Sequence, residues 1–109
     1  MKIFRIDVKP EFRPDHQSFI WPPQNRQSGW DFGVEQSFDN WLLAHPEYLC
    51  DQPVDADWIF APIWFNRYYI NNLDADGHWG GGLEALAEEV YRCRQFGDRV
   101  FTIAEADVR

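Results

Sequence analysis

Residues 64–72 read Trp-Phe-Asn-Arg-Tyr-Tyr-Ile-Asn-Asn, so rings, amides and a guanidinium crowd into one short stretch. Aromatic rings stack on the C–H faces of sugars while amides and guanidinium groups bond their hydroxyls. Trp64, Asn66, Arg67, Tyr68 and Asn72 are therefore candidate substrate-binding residues. They follow residues 58–64, an almost continuous apolar run of strand length. Ligands of open parallel sheets sit beyond the carboxyl ends of the strands. By that rule the first strand end adds Asp7 and Lys9, and a third adds Asp107 and Glu105, the latter completing the candidate set. A second reading of the same stretch has Trp64, Phe65, Tyr68 and Tyr69 covering a core, with Asn71 and Asn72 as turn formers.

Other patterns have plainer readings. Asn72, Asp74 and Asp76 fall at positions 1, 3 and 5 of a calcium loop with Gly77 at position 6, but position 12 is Leu83 and Glu84 comes one residue late. A solvated turn using Asp-Gly chemistry fits better. Asp74 to Asp76 and its twin, Asp55 to Asp57, also match the Asp-x-Asp that grips a metal–nucleotide in one class of glycosyltransferases. That triplet carries little information in a chain with 18 acidic residues. Neither a metal nor another cofactor is expected. Gly80, Gly81 and Gly82 precede a helix, yet Glu84, Glu88 and Glu89 in its opening turns would repel phosphate, and no phosphate-loop spacing is present. A turn or hinge is the expectation. His16, His45 and His78 have no nucleophile or carboxylate at a catalytic spacing. Cys50 and Cys93 belong to no Cys-x-x-Cys or Cys/His cluster and read as buried thiols.

Bulk properties narrow the partners. The 109 residues carry 18 acidic against 10 basic side chains, a net charge of -8. That sign argues against nucleic acid and against anionic membrane surfaces. No apolar run is long enough for a membrane span, and Arg5 and Asp7 interrupt the apolar N-terminal stretch, unlike a signal peptide. A cytoplasmic location is the expectation. With 45% hydrophobic residues and 6 tryptophans the chain can bury a core, and its length suits a single domain, residues 1–109.

The elements that must position the candidate site follow from periodicity. Residues 2–8 alternate apolar and charged, a strand signal. A long proline-rich, polar excursion follows to Gly29, with Phe19, Ile20 and Trp21 expected to pin its middle. From Gly33, Val34, Phe38, Trp41, Leu42 and Leu43 recur at helical spacing until Pro46 stops them. Residues 58–64 read as a strand whose Pro62 would place it at a sheet edge or at a bulge, and residues 71–82 as a loop. Residues 83–96 are the clearest helix, with acids early, Arg92 and Arg94 late and Gly97 as C-cap. Residues 99–107 form a third strand. Alternating strands and helices imply a short, mainly parallel sheet with right-handed crossovers, a Rossmann-like three-layer α/β fold. Three strands leave edges and apolar faces uncovered, so a homo-oligomer is a further expectation.

These residues resemble a known family. Glu35 and Phe38 on the first helix, Asp55, Ala56 and Asp57 in the turn, Ile59 through Pro62 in the strand, and Pro10 to Phe12 after the opening strand are similar to the N-terminal half of the exostosin-like (family 47 type) glycosyltransferases. The resemblance covers roughly residues 2–72. It implies the N-terminal, acceptor-side part of a GT-B enzyme, in which two Rossmann-like domains transfer sugar from a nucleotide-sugar to a glycan acceptor across a cleft. Donor binding would belong to a second domain, so the present chain is expected to be a fragment that is inactive alone. The segment 66–82, taken as one loop, would face the cleft, and Asp74, Asp76, His78 and Glu105 all remain open as the general base. The alternative is a non-catalytic α/β binding or protein-interaction domain.

Overall fold

The computed structural model describes residues 1–14, 34–72 and 81–104. They form a small α/β arrangement around an open sheet of three parallel strands, β1 (Ile3–Arg5), β2 (Trp58–Phe60) and β3 (Val100–Phe101), in that spatial order. The register sets Ile3 opposite Trp58, Phe4 opposite Ile59 and Arg5 opposite Phe60, while Ile59 and Phe60 oppose Val100 and Phe101. Three helices accompany the strands: α1 (Val34–Leu43), α2 (Phe65–Asn71) and α3 (Leu83–Arg94).

Because side chains alternate across a strand, the sheet has two distinct faces. Ile3, Phe60 and Phe101 pack with Phe38 and Leu42 of α1, Phe38 meeting Phe60 edge-on at 5.0 Å between ring centroids. Ile6, Ile59 and Ala61 pack on the opposite side with Leu86, Val90 and Cys93 of α3, and Phe4 meets Phe96 just beyond that helix at 5.8 Å. Thus the helix after β1 lies on one face and the helix after β2 on the other. The chain leaving α1 does not go straight to β2. Leu49 first forms a parallel bridge with Ile3, and Cys50 N–H donates to the Ile3 carbonyl at 3.1 Å. Towards β2, Ile6 N–H donates to the Phe60 carbonyl and the Lys2 carbonyl accepts from Trp58 N–H, so the Ile3 carbonyl that takes Cys50 points the other way and Leu49 lies on the outer edge of β1. The first crossover therefore leads away from β2 and the second leads from β2 to β3.

Several expectations need correction. The strands are shorter than the apolar runs that announce them. β2 is central, flanked by β1 and β3, and Pro62 lies past its last paired residue. Proline fixes its own φ, and here Ile63 N–H closes a tight turn on the Ala61 carbonyl at 2.9 Å. The exit of β1 uses the same device, Val8 N–H donating to the Ile6 carbonyl at 3.1 Å. Residues 66–71, expected as loop, are helical. Their aromatic residues favour strands in general, but two groups outside the helix hold its first turn. The buried Glu35 carboxylate accepts from Asn66 N–H at 3.0 Å, supplying an anion where a helix N-terminus has unpaired donors. The Trp64 carbonyl accepts from Tyr68 N–H at 2.9 Å. At the other end the Asn72 side-chain amide donates to the Tyr68 carbonyl at 2.8 Å. The expected contacts of Phe19, Ile20 and Trp21 lie outside the described residues, as does most of the loop expected over 71–82.

One turn along α1 from Glu35 stands Asp39, fully buried. Its two oxygens take Arg5 Nε at 2.7 Å and Arg5 Nη2 at 2.9 Å, and the second also accepts from Trp64 Nε1 at 3.2 Å. A helix carboxylate thus ties down the end of β1 and the segment leaving β2. Removing one partner of a buried pair strands the other charge. Asp39→Ala should lower unfolding free energy by about 3 kcal/mol or more, read as a shift of the urea midpoint. A loss of less than about 1 kcal/mol would mean that Arg5 finds another partner or water.

Candidate functional site

At the carboxyl ends of β1 and β2 the two departing segments form the walls of a crevice of about 470 Å³. One wall is Pro10, Glu11, Arg13 and Pro14, beginning with a 3₁₀ turn, Pro10–Phe12; the other is Tyr68, Asn71 and Asn72 from α2 and its end. This is where ligands of parallel sheets are expected, between neighbouring strands whose helices go to opposite faces. The walls are fastened to each other below the opening. Trp64 N–H donates to the Phe12 carbonyl at 2.9 Å, and the Phe12 and Tyr68 rings lie 5.1 Å apart.

Buried groups fix each wall. Glu89 of α3, 2% exposed, accepts from Lys9 N–H at 3.0 Å and from both Arg92 Nε and Nη2, at 2.7 and 3.0 Å. Arg92 also donates to the Asp7 carbonyl at 2.9 Å. Bonding from Arg92 outweighs burial and holds the Glu89 carboxyl below its ordinary range, with help from Lys9 N–H. Arg13 Nη2 donates to the Val8 carbonyl at 3.1 Å. On the second wall the Tyr68 hydroxyl donates to the Gly82 carbonyl at 2.7 Å. Burial, and secondly the Glu11 charge, raise its pKa, so the phenol stays a proton donor. Gly82 has φ +85°, and a Cβ there would lie 2.6 Å from Asn72 Oδ1 and 2.7 Å from the Tyr68 hydroxyl. Only glycine fits both the left-handed backbone and the space.

The sequence-derived set divides. Tyr68 and Asn72 line the crevice. Trp64 is half-buried with its indole N–H on Asp39, and Asn66 is buried with its main chain on Glu35. Arg67 donates to the Pro14 carbonyl at 3.1 Å and lies over the Trp64 ring, 5.8 Å from its centroid. These three sit in the scaffold behind the second wall, and Arg67 braces the two walls together. Glu105, Asp107, Asp74, Asp76 and His78 lie outside the described residues. Glu11, Arg13 and Asn71 were missing from the set. The carboxyl-end rule points to the segment after Lys9 as much as to the one after Trp64, and could have found the first two. Among the described residues no group of three His, Cys, Asp or Glu could hold a metal ion. Among them, too, no helix is long and apolar enough to cross a membrane.

Comparison with known proteins leaves the geometry to speak for itself: no family model, curated protein or solved structure matches the chain.

Two outcomes follow from this construction. Gly82→Ala should cost about 1–3 kcal/mol and break the Tyr68 bond, seen as a lower melting temperature together with a changed near-ultraviolet tyrosine signal. Glu89 binds its proton less tightly folded than unfolded, so it adds stability above the unfolded carboxylate range, near pH 4.5, that is lost as pH falls through the lowered folded value. Urea midpoints measured from pH 7 down to about pH 3 should therefore fall more steeply for the native chain than for Glu89→Gln; parallel curves would remove Glu89 from the acid response.

Proposed function

We propose that the crevice between the exits of β1 and β2 receives a glycan, and that the chain is the acceptor-side part of an exostosin-like glycosyltransferase. The observation that carries this reading is the lining itself. Two amides, a phenol, a guanidinium and a carboxylate meet at the carboxyl ends of neighbouring parallel strands, a donor and acceptor mixture suited to hydroxyl groups. The parallel sheet with helices on opposite faces is compatible with the Rossmann-like half of a GT-B enzyme. In this reading Asn71 and Asn72 take hydroxyls, Arg13 and Glu11 select the orientation of the sugar, and Tyr68 forms the floor. The nucleotide-sugar would be held by a second domain, so the chain alone binds acceptor and transfers nothing.

The test is a ¹H–¹⁵N NMR titration with neutral and uronate-containing disaccharides at millimolar concentrations, the range of weak single-sugar sites. Saturable shifts should cluster at Glu11, Arg13, Asn71 and Asn72. Glu11→Ala, at an exposed position, should keep the folded spectrum and weaken binding by roughly tenfold, the loss of one charge-assisted hydrogen bond. Absence of shifts with every sugar, or shifts confined to the opposite end of the sheet, would sink the proposal.

A further inference from the structure

We propose that the aromatic groove at the amino ends of the strands, the end opposite the crevice, docks a proline-rich segment of another protein in the polyproline II conformation. The groove has a volume of about 640 Å³ and is formed by Ile3, Phe38, Trp41, Tyr48, Trp58 and Phe101. Ile3 and Trp58 are the first residues of β1 and β2 and stand opposite each other in the register. Further along the same face Phe38 and Leu42 of α1 pack with Phe60. Trp58, two residues before Phe60, is left 45% exposed.

Two properties of the lining choose the occupant. The first is its hydrogen-bonding sign. The side chains bring two indole N–H groups and a phenol O–H, and no carbonyl or carboxylate. Trp64 and Tyr68 spend the same groups on Asp39 and Gly82, whereas no described residue accepts from Trp41 Nε1, Trp58 Nε1 or the Tyr48 hydroxyl. The complementary ligand offers apolar surface and acceptors but few donors. Proline lacks the main-chain N–H, and polyproline II leaves its carbonyls free of internal hydrogen bonds. The second property is rigidity. Trp41 lies near-parallel to His45, Tyr48 and Phe38, at 4.3, 5.4 and 6.4 Å between ring centroids. Trp58 stands apart from that stack and meets Phe101 edge-on at 6.4 Å. Rings already fixed lose little freedom on binding, and polyproline II is itself a preformed, stiff conformation that docks on such aromatic grooves.

Other occupants fit less well. A glycan needs acceptors for its hydroxyls as well as donors. A second copy of the chain needs about 800 Å² from each partner, whereas Trp41, Tyr48 and Trp58, at 44%, 38% and 45% exposed, offer on the order of 300 Å² of aromatic surface. Charge favours neither sign of ligand. Beside the groove Lys2 Nζ donates to the Glu47 carbonyl and Lys2 N–H to the Asp57 carboxylate, each at 2.8 Å, so both signs border it and the segment it takes is neutral.

The experiment titrates a fluorescein-labelled peptide, Gly-Pro-Pro-Leu-Pro-Pro-Leu-Pro, with the whole chain by fluorescence anisotropy. Saturable binding with Kd at or below about 200 µM is expected. The same peptide with every proline replaced by alanine should bind at least tenfold more weakly. In ¹H–¹⁵N spectra the indole signals of Trp41 and Trp58 should move while that of Trp64 stays. Trp58→Phe, which keeps a ring and removes the N–H, should weaken binding by roughly threefold to tenfold, the loss of one hydrogen bond. No binding by about 1 mM, equal binding of the alanine peptide, or an unmoved Trp58 indole would each overturn the proposal. So would equal shifts at Trp58 with neutral disaccharides, or a chain dimer that the peptide fails to dissociate. Tighter binding by Pro22→Ala would overturn it too, by making the chain's own Pro22 and Pro23 the occupant. Sugar titration of the crevice is read at other residues, so either site can fail alone.

Discussion

The fold depends on carboxylates taken out of water at the carboxyl end of the sheet. Asp39 grips Arg5 at the end of β1 and Trp64 beyond β2, Glu35 receives the first turn of α2, and Glu89 receives Lys9 and Arg92 from the other face. Burying such groups is unfavourable unless their partners are in place. Each one accordingly specifies where a strand exit must sit relative to a helix. With strands only two or three residues long, ladder hydrogen bonds alone would leave those exits poorly defined. The charge network supplies the definition, and it does so where two segments part and a crevice opens.

Much of this plan is written in residue periodicity. The spacing of Leu83, Leu86, Val90 and Cys93 announces α3, and that of Phe38 and Leu42 announces α1, because both helices bury a continuous stripe against the sheet. The apolar runs locate all three strands, and the alternation of strands with helices gives their parallel sense. What periodicity does not carry is the point at which a strand stops. Residues 58–63 are apolar throughout, yet pairing ends near Ala61 because Pro62 bends the chain into a tight turn. Nor does local preference carry α2, whose first turn is stabilised by Glu35, 31 residues earlier.

The candidate site shows the same division. The stretch after β2 stands out in sequence because aromatic and amide residues are concentrated there, but concentration does not separate a side chain that faces ligand from one that braces a wall. Trp64, Asn66 and Arg67 are spent on Asp39, Glu35 and Pro14. Glu11 and Arg13 face the crevice from a proline-rich segment that looks like plain connection. Their importance comes from adjacency of β1 and β2, a relation between residues 55 positions apart in the chain.

The clamp of Glu89 and Arg92 on residues 7–9 also has a bearing on synthesis. Its partners are separated by 80 and 85 residues, so the exit of β1 stays unfastened until α3 has been made. A nascent chain must carry its first strand, and the aromatic rings destined for both faces of the sheet, without that fastening until some 80 further residues have been made. Pairings so distant fold slowly and leave apolar surface open to other contacts.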